Sequence, residues 1–208
     1  MSATSRSDRT GATPGVEAGS QETRTRDGSA DLSALFHAKA RAELKAADGK
    51  APGSDIVRSA GAEFAETALV KGLSGPAEAT GGSALEGPDG DAADRALEAL
   101  GYDPALSFRI VSRVEQGVAS ERRIKRLRLA LEATDPDVVI ALDKEAAEDV
   151  ASAFDIAELR FGRPVRVLGR TLVAVDGLEA SLTDEARKRR VWRQLKSVRR
   201  DAQDGAAV

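Results

Sequence analysis

The sequence predicts an α/β protein, a three-layer α/β/α sandwich around a central, mostly parallel sheet. Three observations predict it. Short apolar runs alternate with amphipathic stretches along the chain, as βα units require. One of these runs, Val138–Leu142, is apolar throughout, the pattern of a strand covered on both faces. A Gly-rich segment, 72–90, follows a strand candidate and precedes a helix candidate, and α/β sheets open their ligand crevices at such carboxyl ends.

In chain order, residues 1–30 read as a disordered tail, rich in Ser, Thr and Gly with little apolar to bury. An amphipathic helix is predicted from Asp31, carrying Leu32, Leu35, Phe36 and Leu44 and ending at Gly49, Pro52 and Gly53. The only histidine, His37, lies in it with no nearby acid, so a structural role is expected. Thr67–Lys71 is the first strand candidate. After the Gly-rich segment, Asp91 can cap a helix with Ala92, Ala93, Ala96, Leu97 and Leu100. Phe108–Val111 is the second strand candidate, and Ser120 can cap a helix with Ile124, Leu127 and Leu131 on one face. Asp135-Pro136 ends that helix and launches Val138–Leu142. Ala146–Phe154 is helical, and Pro164–Leu168 and Thr171–Val175 flank a turn at Gly169-Arg170. Thr183 can cap a last helix with Ala186, Val191, Leu195 and Val198 inside. One domain over 31–200 with tails at 1–30 and 201–208 is therefore expected.

Composition narrows the chemistry. The chain has 208 residues, of which 41% are hydrophobic, enough for a core in one domain. Without cysteine it can hold no disulfide, thiolate zinc site, iron–sulfur cluster or cysteine nucleophile. The longest apolar run falls far short of the ~20 residues that cross a bilayer, and the N-terminus lacks an apolar signal region. A soluble, cytoplasmic protein without membrane partners is expected.

The net charge of −3 hides a strong asymmetry. Segment 109–128 has seven basic residues against two acids, and segment 187–200 has eight against none. Brought onto one face, Arg122, Arg123, Arg126, Lys188, Arg189 and Arg193 would bind a polyanion such as DNA. As solvated outer faces of two helices, they would have no such role.

Catalytic motifs are sparse. Segment 72–90 matches neither G-x-G-x-x-G nor G-x-x-x-x-G-K-[ST], so no nucleotide cofactor is indicated. No His–Glu pair at metal spacing and no G-x-S-x-G elbow occurs, so no metal is indicated either. Glu78, Glu86 and Asp89 lie in the Gly-rich segment, as general bases or as solvated turn residues. Lone Trp192 and Tyr102 make no stacking platform.

Read in order, residues 67–197 resemble the uracil-DNA glycosylase superfamily, especially its compact bacterial and archaeal members. The resemblance rests on Leu69-Val70-Lys71 running into Gly72-Leu73-Ser74-Gly75-Pro76-Ala77-Glu78, then Gly82–Gly87 and a helix to Leu100-Gly101. It continues through the strand Phe108–Ser112, Asp135–Ala147, the strand Leu172–Val175 with its turn at Asp176–Leu178, and Lys188 to Trp192. It implies base-pocket positions at Gly72, Leu73, Ser74, Leu85, Ser112 and Gly177. At each informative position the chemistry differs. Leu73 stands for the motif acid, Leu85 for the aromatic that stacks on a flipped base, Ser112 for the base-reading Asn, and Gly177 for the motif His. Each change removes a function. Leu85 offers no π-face, Ser112 has one hydroxyl in place of an amide, and Gly177 has only its N–H to stabilise a departing anionic base.

The resemblance thus implies a catalytically degenerate member, a pseudoenzyme, that binds nucleic acid or serves as an adaptor for a replication or repair protein. An alternative is an active DNA glycosylase with altered base preference, using Glu78 or Asp89 as base and Asp176 to stabilise a developing cation. A second alternative is a regulatory or structural protein with no nucleic-acid affinity.

Overall fold

The computed structural model describes residues 22–49, 57–114 and 119–199. The expected tail at 201–208 and residues 1–21 of the N-terminal one lie outside the described residues. The chain divides into two compact units, Met1–Phe36 and His37–Val208. Helix α1, Glu22–Asp48, begins within the expected tail rather than at Asp31. In the second unit, His37 Nδ1 lies 2.7 Å from Glu63 Oε2, and the imidazole packs edge-on against Phe64. Arg41 donates to the same carboxylate at 3.1 Å, so His37 has an acid partner that the sequence expectation lacked, supplied by a residue 26 positions away.

Among the described residues, six strands form one mixed sheet. They are β1 (Ala60–Gly61), β2 (Thr67–Leu73), β3 (Ser107–Arg113), β4 (Val138–Ala141), β5 (Val165–Val167) and β6 (Arg170–Ala174), in the order β1-β3-β2-β4-β6-β5. The inner pairs β3–β2, β2–β4 and β4–β6 are parallel, and the edge strands β1 and β5 are antiparallel. The helices after α1 are α2 (Pro76–Ala79), α3 (Pro88–Leu100), α4 (Ser120–Thr134), α5 (Lys144–Ala153), α6 (Leu178–Ser181) and α7 (Glu185–Leu195).

Period-two alternation divides the core between two faces. Ala68, Val70, Val139, Ala141, Leu172 and Ala174 pack against α4, α5 and the end of α1. Leu69, Val138, Ile140, Val173 and Val175 pack against α3 and α7 on the opposite face. Strand β4 lies between two parallel neighbours and is buried at every position, which is why its sequence is apolar without interruption.

Several boundaries differ from expectation for local reasons. Helix α3 starts with Pro88 after Gly87, which places Asp91 inside its first turn instead of at the cap. Ala119 occupies the N-cap of α4 in place of Ser120, and Asp184 caps α7 in place of Thr183, accepting from the N–H groups of Ala186 and Arg187. The β5–β6 turn centres on Leu168-Gly169, both at positive φ, one residue earlier than expected. Two residues in that conformation match the twist of a tight hairpin. Among the described residues, no helix is long and apolar enough to cross a membrane.

The connection from β2 runs to β3 on one side, and the chain then crosses to β4 on the other. The strand order therefore reverses between β2 and β4. A crevice opens at their carboxyl ends, the place where open α/β sheets bind ligands.

Candidate functional site

A crevice of about 460 Å³ lies at this switch point, lined by residues from the ends of β2, β4 and β6 and from the starts of the helices that follow. Its inner wall is built around Lys71. Period-two alternation points residues 69 and 71 of β2 to the α3 face, and Leu69 there enters the core. Lys71 therefore also turns inward, and only 3% of it is exposed.

Three carboxylates meet its ammonium. Asp89 Oδ2 accepts at 2.6 Å, the two oxygens of Glu78 accept at 3.1 and 3.2 Å, and Glu179 Oε2 lies at 3.1 Å. An ammonium has three protons to give, and all three are taken. Burial alone would lower the Lys71 pKa, but its hydrogen bonds to Asp89, Glu179 and Glu78 outweigh that and raise it above the ordinary lysine value. Glu78, itself 1% exposed, also receives the N–H groups of Gly75 and Leu85 and so ties α2 to the rest of the Gly-rich segment. Gly75 allows this closeness, since a Cβ there would lie 2.8 Å from both Glu78 Oε2 and Lys71 Nζ.

The opposite wall is Asp143, the N-cap of α5, whose carboxylate accepts from Ala146 N at 2.7 Å and from Gly72 N at 2.8 Å. Burial pushes its pKa up, against the two N–H groups that favour the charged form. A Cβ on Gly72 would fall 2.4 Å from Asp143 Oδ1, so glycine is what lets β2 approach this cap. Glu145, Gly177 and Ser74 also line the crevice, and Ser74 Oγ has no hydrogen-bond partner among the described residues. With one ammonium facing Glu78, Asp89, Glu179, Asp143 and Glu145, the crevice is strongly acidic.

Of the base-pocket positions, Leu73, Ser74 and Gly177 line the crevice, and Gly72 forms its rim through the bond to Asp143. Leu85 does not line it. Its side chain is 2% exposed and packs in the core beneath α3, with only its N–H turned to Glu78. Ser112 is also elsewhere, buried on the α4–α5 side and donating to Asp149 Oδ2 at 2.7 Å. Both positions are corrected: alternation along β3 turns Ser112 to the α4–α5 face, and the loop before α3 buries the Leu85 side chain in the core. Glu78 and Asp89 are brought together, but as counter-ions of Lys71. Asp176 is held by Arg190 at 2.6 Å and is not part of the lining.

The basic residues also divide. Arg126 is 1% exposed, with its guanidinium bonded to Asp48 and to the carbonyl of Val111, so the expectation that it meets nucleic acid is corrected. Arg123 joins Arg113 on the buried carboxylate of Asp149. Arg128 donates to Glu132 and Ala153 and stacks over Phe154. On α4, Arg122 and Lys125 are left exposed. On α7, Lys188, Arg189 and Arg193 are exposed, Lys188 within 3.4 Å of Glu185. Since α4 and α7 cover opposite faces of the sheet, the two basic segments do not form one patch.

Sequence reasoning passed over Lys71, Asp143 and Glu179. The first had a visible signal, a lysine in register with Leu69 on an apolar strand. The second had a weaker one, an Asp directly after a buried strand, where a helix needs a cap. No group of acids or histidines that could hold a metal ion occurs among the described residues. Compared with protein-family models and with curated proteins, the chain matches none.

Proposed function

We propose that this chain is a cytoplasmic, uracil-DNA glycosylase-like protein that has lost base excision and acts as a protein adaptor in DNA metabolism. One observation carries the loss of chemistry: Lys71 is saturated by Glu78, Asp89 and Glu179 in the crevice where a base would sit. A general base must be free to take a proton, and here both buried acids are spent on one ammonium. A departing anionic base needs a donor or cation, and the single buried cation of the crevice has no proton to spare. The acidic lining also repels a phosphodiester backbone. Further support comes from the resemblance at Gly72–Glu78 and Asp135–Ala147, two segments that each contribute residues to the crevice lining.

The test is base release from oligonucleotides bearing uracil, hypoxanthine, xanthine or oxidised bases, read by alkali cleavage, with a mobility-shift assay in parallel. No cleavage of any is expected. Cleavage that is lost in Asp89→Asn would overturn the reading in favour of an active glycosylase. A second reading, direct nucleic-acid binding, is favoured by the exposed guanidinium groups of Arg189 and Arg193, for which the described residues supply no counter-ion. It predicts a shifted duplex at low salt without cleavage.

A further inference from the structure

Helices α3 and α7 do not close against each other along their outer edges. Between them, a groove of about 510 Å³ runs over Leu178, Leu182, Val191 and Leu195. The gap has a local cause. Helix α3 presents Ala92 and Ala96, one turn apart, where larger residues would fill the space. From α7, Lys188, Arg189, Trp192 and Leu195 face the groove, the i, i+1, i+4, i+7 stripe of one helix side. Trp192 remains 36% exposed, a large aromatic surface with one side uncovered.

The rim is cationic. Arg95, Lys188 and Arg189 border the groove, against one acid, Glu185. Lys188 pairs loosely with Glu185, while Arg95 and Arg189 have no ion-pair partner among the described residues. The other basic helix differs, because Arg123, Arg126 and Arg128 of α4 are all bound internally.

We infer that this groove docks an acidic, amphipathic helix of a partner protein. The inference rests on the adaptor reading and names the surface it uses. An apolar floor pairs with a row of apolar side chains at i, i+3, i+4 and i+7, as in other helix-in-groove contacts. The rim calls for Asp or Glu on the flanks of that row, which meet Arg95 and Arg189. Trp192 is the central anchor, since aromatic residues that lose their last exposed face dominate such interfaces. A nucleic acid fits less well, because its phosphates would lie over an apolar floor that gains only when dry apolar groups cover it.

The experiment selects helical peptides from a tryptophan-free display library on the full chain, with counter-selection on Ala96→Glu, which fills and charges the groove at an accommodating helix position. Trp192 is the only tryptophan, so its emission reports binding directly. Enriched peptides are expected to be amphipathic and acidic, to shift Trp192 emission to the blue, and to bind Arg95→Glu/Arg189→Glu about tenfold more weakly or less. Replacing their acids with Lys is expected to restore binding to that double variant. Selection yielding no peptide, basic peptides, or peptides that bind Ala96→Glu equally would overturn the inference. So would a DNA duplex that moves Trp192 emission with the same dependence on Arg95 and Arg189. Base release by the chain would instead defeat the adaptor reading, and the peptide result does not depend on it.

Discussion

Lys71 shows how one residue decides what the crevice can do. It is the cation that makes two buried acids tolerable, and removing a partner from a buried pair costs far more than the pair contributes in place. Lys71→Met is expected to destabilise the fold by about 3–5 kcal/mol, measured by urea unfolding at neutral pH. A loss below about 1 kcal/mol would contradict the buried contacts of Lys71 with Glu78 and Asp89. Asp143 supplies a pH test. Burial raises its folded pKa above the unfolded value of ~3.9, so the folded state binds its proton more tightly. Its contribution is fully present below ~pH 3.9 and is lost as pH rises through the folded value. In Asp143→Asn, which keeps an acceptor for a cap N–H, the difference in stability from wild type should therefore move in the variant's favour as pH rises across that window. Parallel stability–pH curves would contradict this. At residue scale, Lys71 was readable from its register with Leu69, but its partners come from α2, α3 and α6, which no spacing along the chain connects.

Helix α3 and the loop before it carry the element-scale evidence. Gly90 lies in the first turn of α3, and in an ordinary helix Gly→Ala is favourable by roughly 0.5–1 kcal/mol. Here a Cβ would meet the carbonyl oxygen of Leu85 at 1.9 Å, so the steric term wins and the sign reverses. Gly90→Ala is expected to lower thermal stability by about 3 kcal/mol or more and to loosen the loop that holds Glu78. Stabilisation by the same substitution would refute the packing of that loop. On the other face, Asp149 is buried and joins Ser112, Arg113 and Arg123. Asp149→Ala should cost about 3 kcal/mol in urea unfolding, whereas Arg122→Ala, at an exposed position of α4, should stay within about 0.5 kcal/mol. The apolar faces of α4 and α7 are legible from their periodicity, and α5 from its run of alanines. The caps were harder, because Asp, Ser and Thr compete within one or two residues and the helix turn that packs best chooses among them.

Over the whole molecule, the sheet separates the two basic segments. Only one of them can meet a given duplex, and on α7 the exposed cations are Lys188, Arg189, Arg190 and Arg193. Any DNA binding should then lose affinity with a log–log salt slope no steeper than about −4, as about four phosphate contacts give. Arg189→Glu/Arg193→Glu should remove it, and Arg122→Glu/Lys125→Glu should not. A much steeper slope, or equal sensitivity to both pairs, would require a surface that spans both faces.

The α/β class, the order of the inner strands and helices along the chain, the burial of β4 and the place of segment 72–90 after a strand are all legible in the residues alone. Each of these follows from apolar period or from a turn residue within a dozen positions of chain. Which charges face inward emerges only in the folded chain. Arg126, Arg123, Glu78 and Asp89 read as free surface or catalytic groups because a linear sequence records their charge but not their counter-ions. Those counter-ions, Asp48, Asp149 and Lys71, are supplied by other elements of the fold, and burial makes the pairing obligatory.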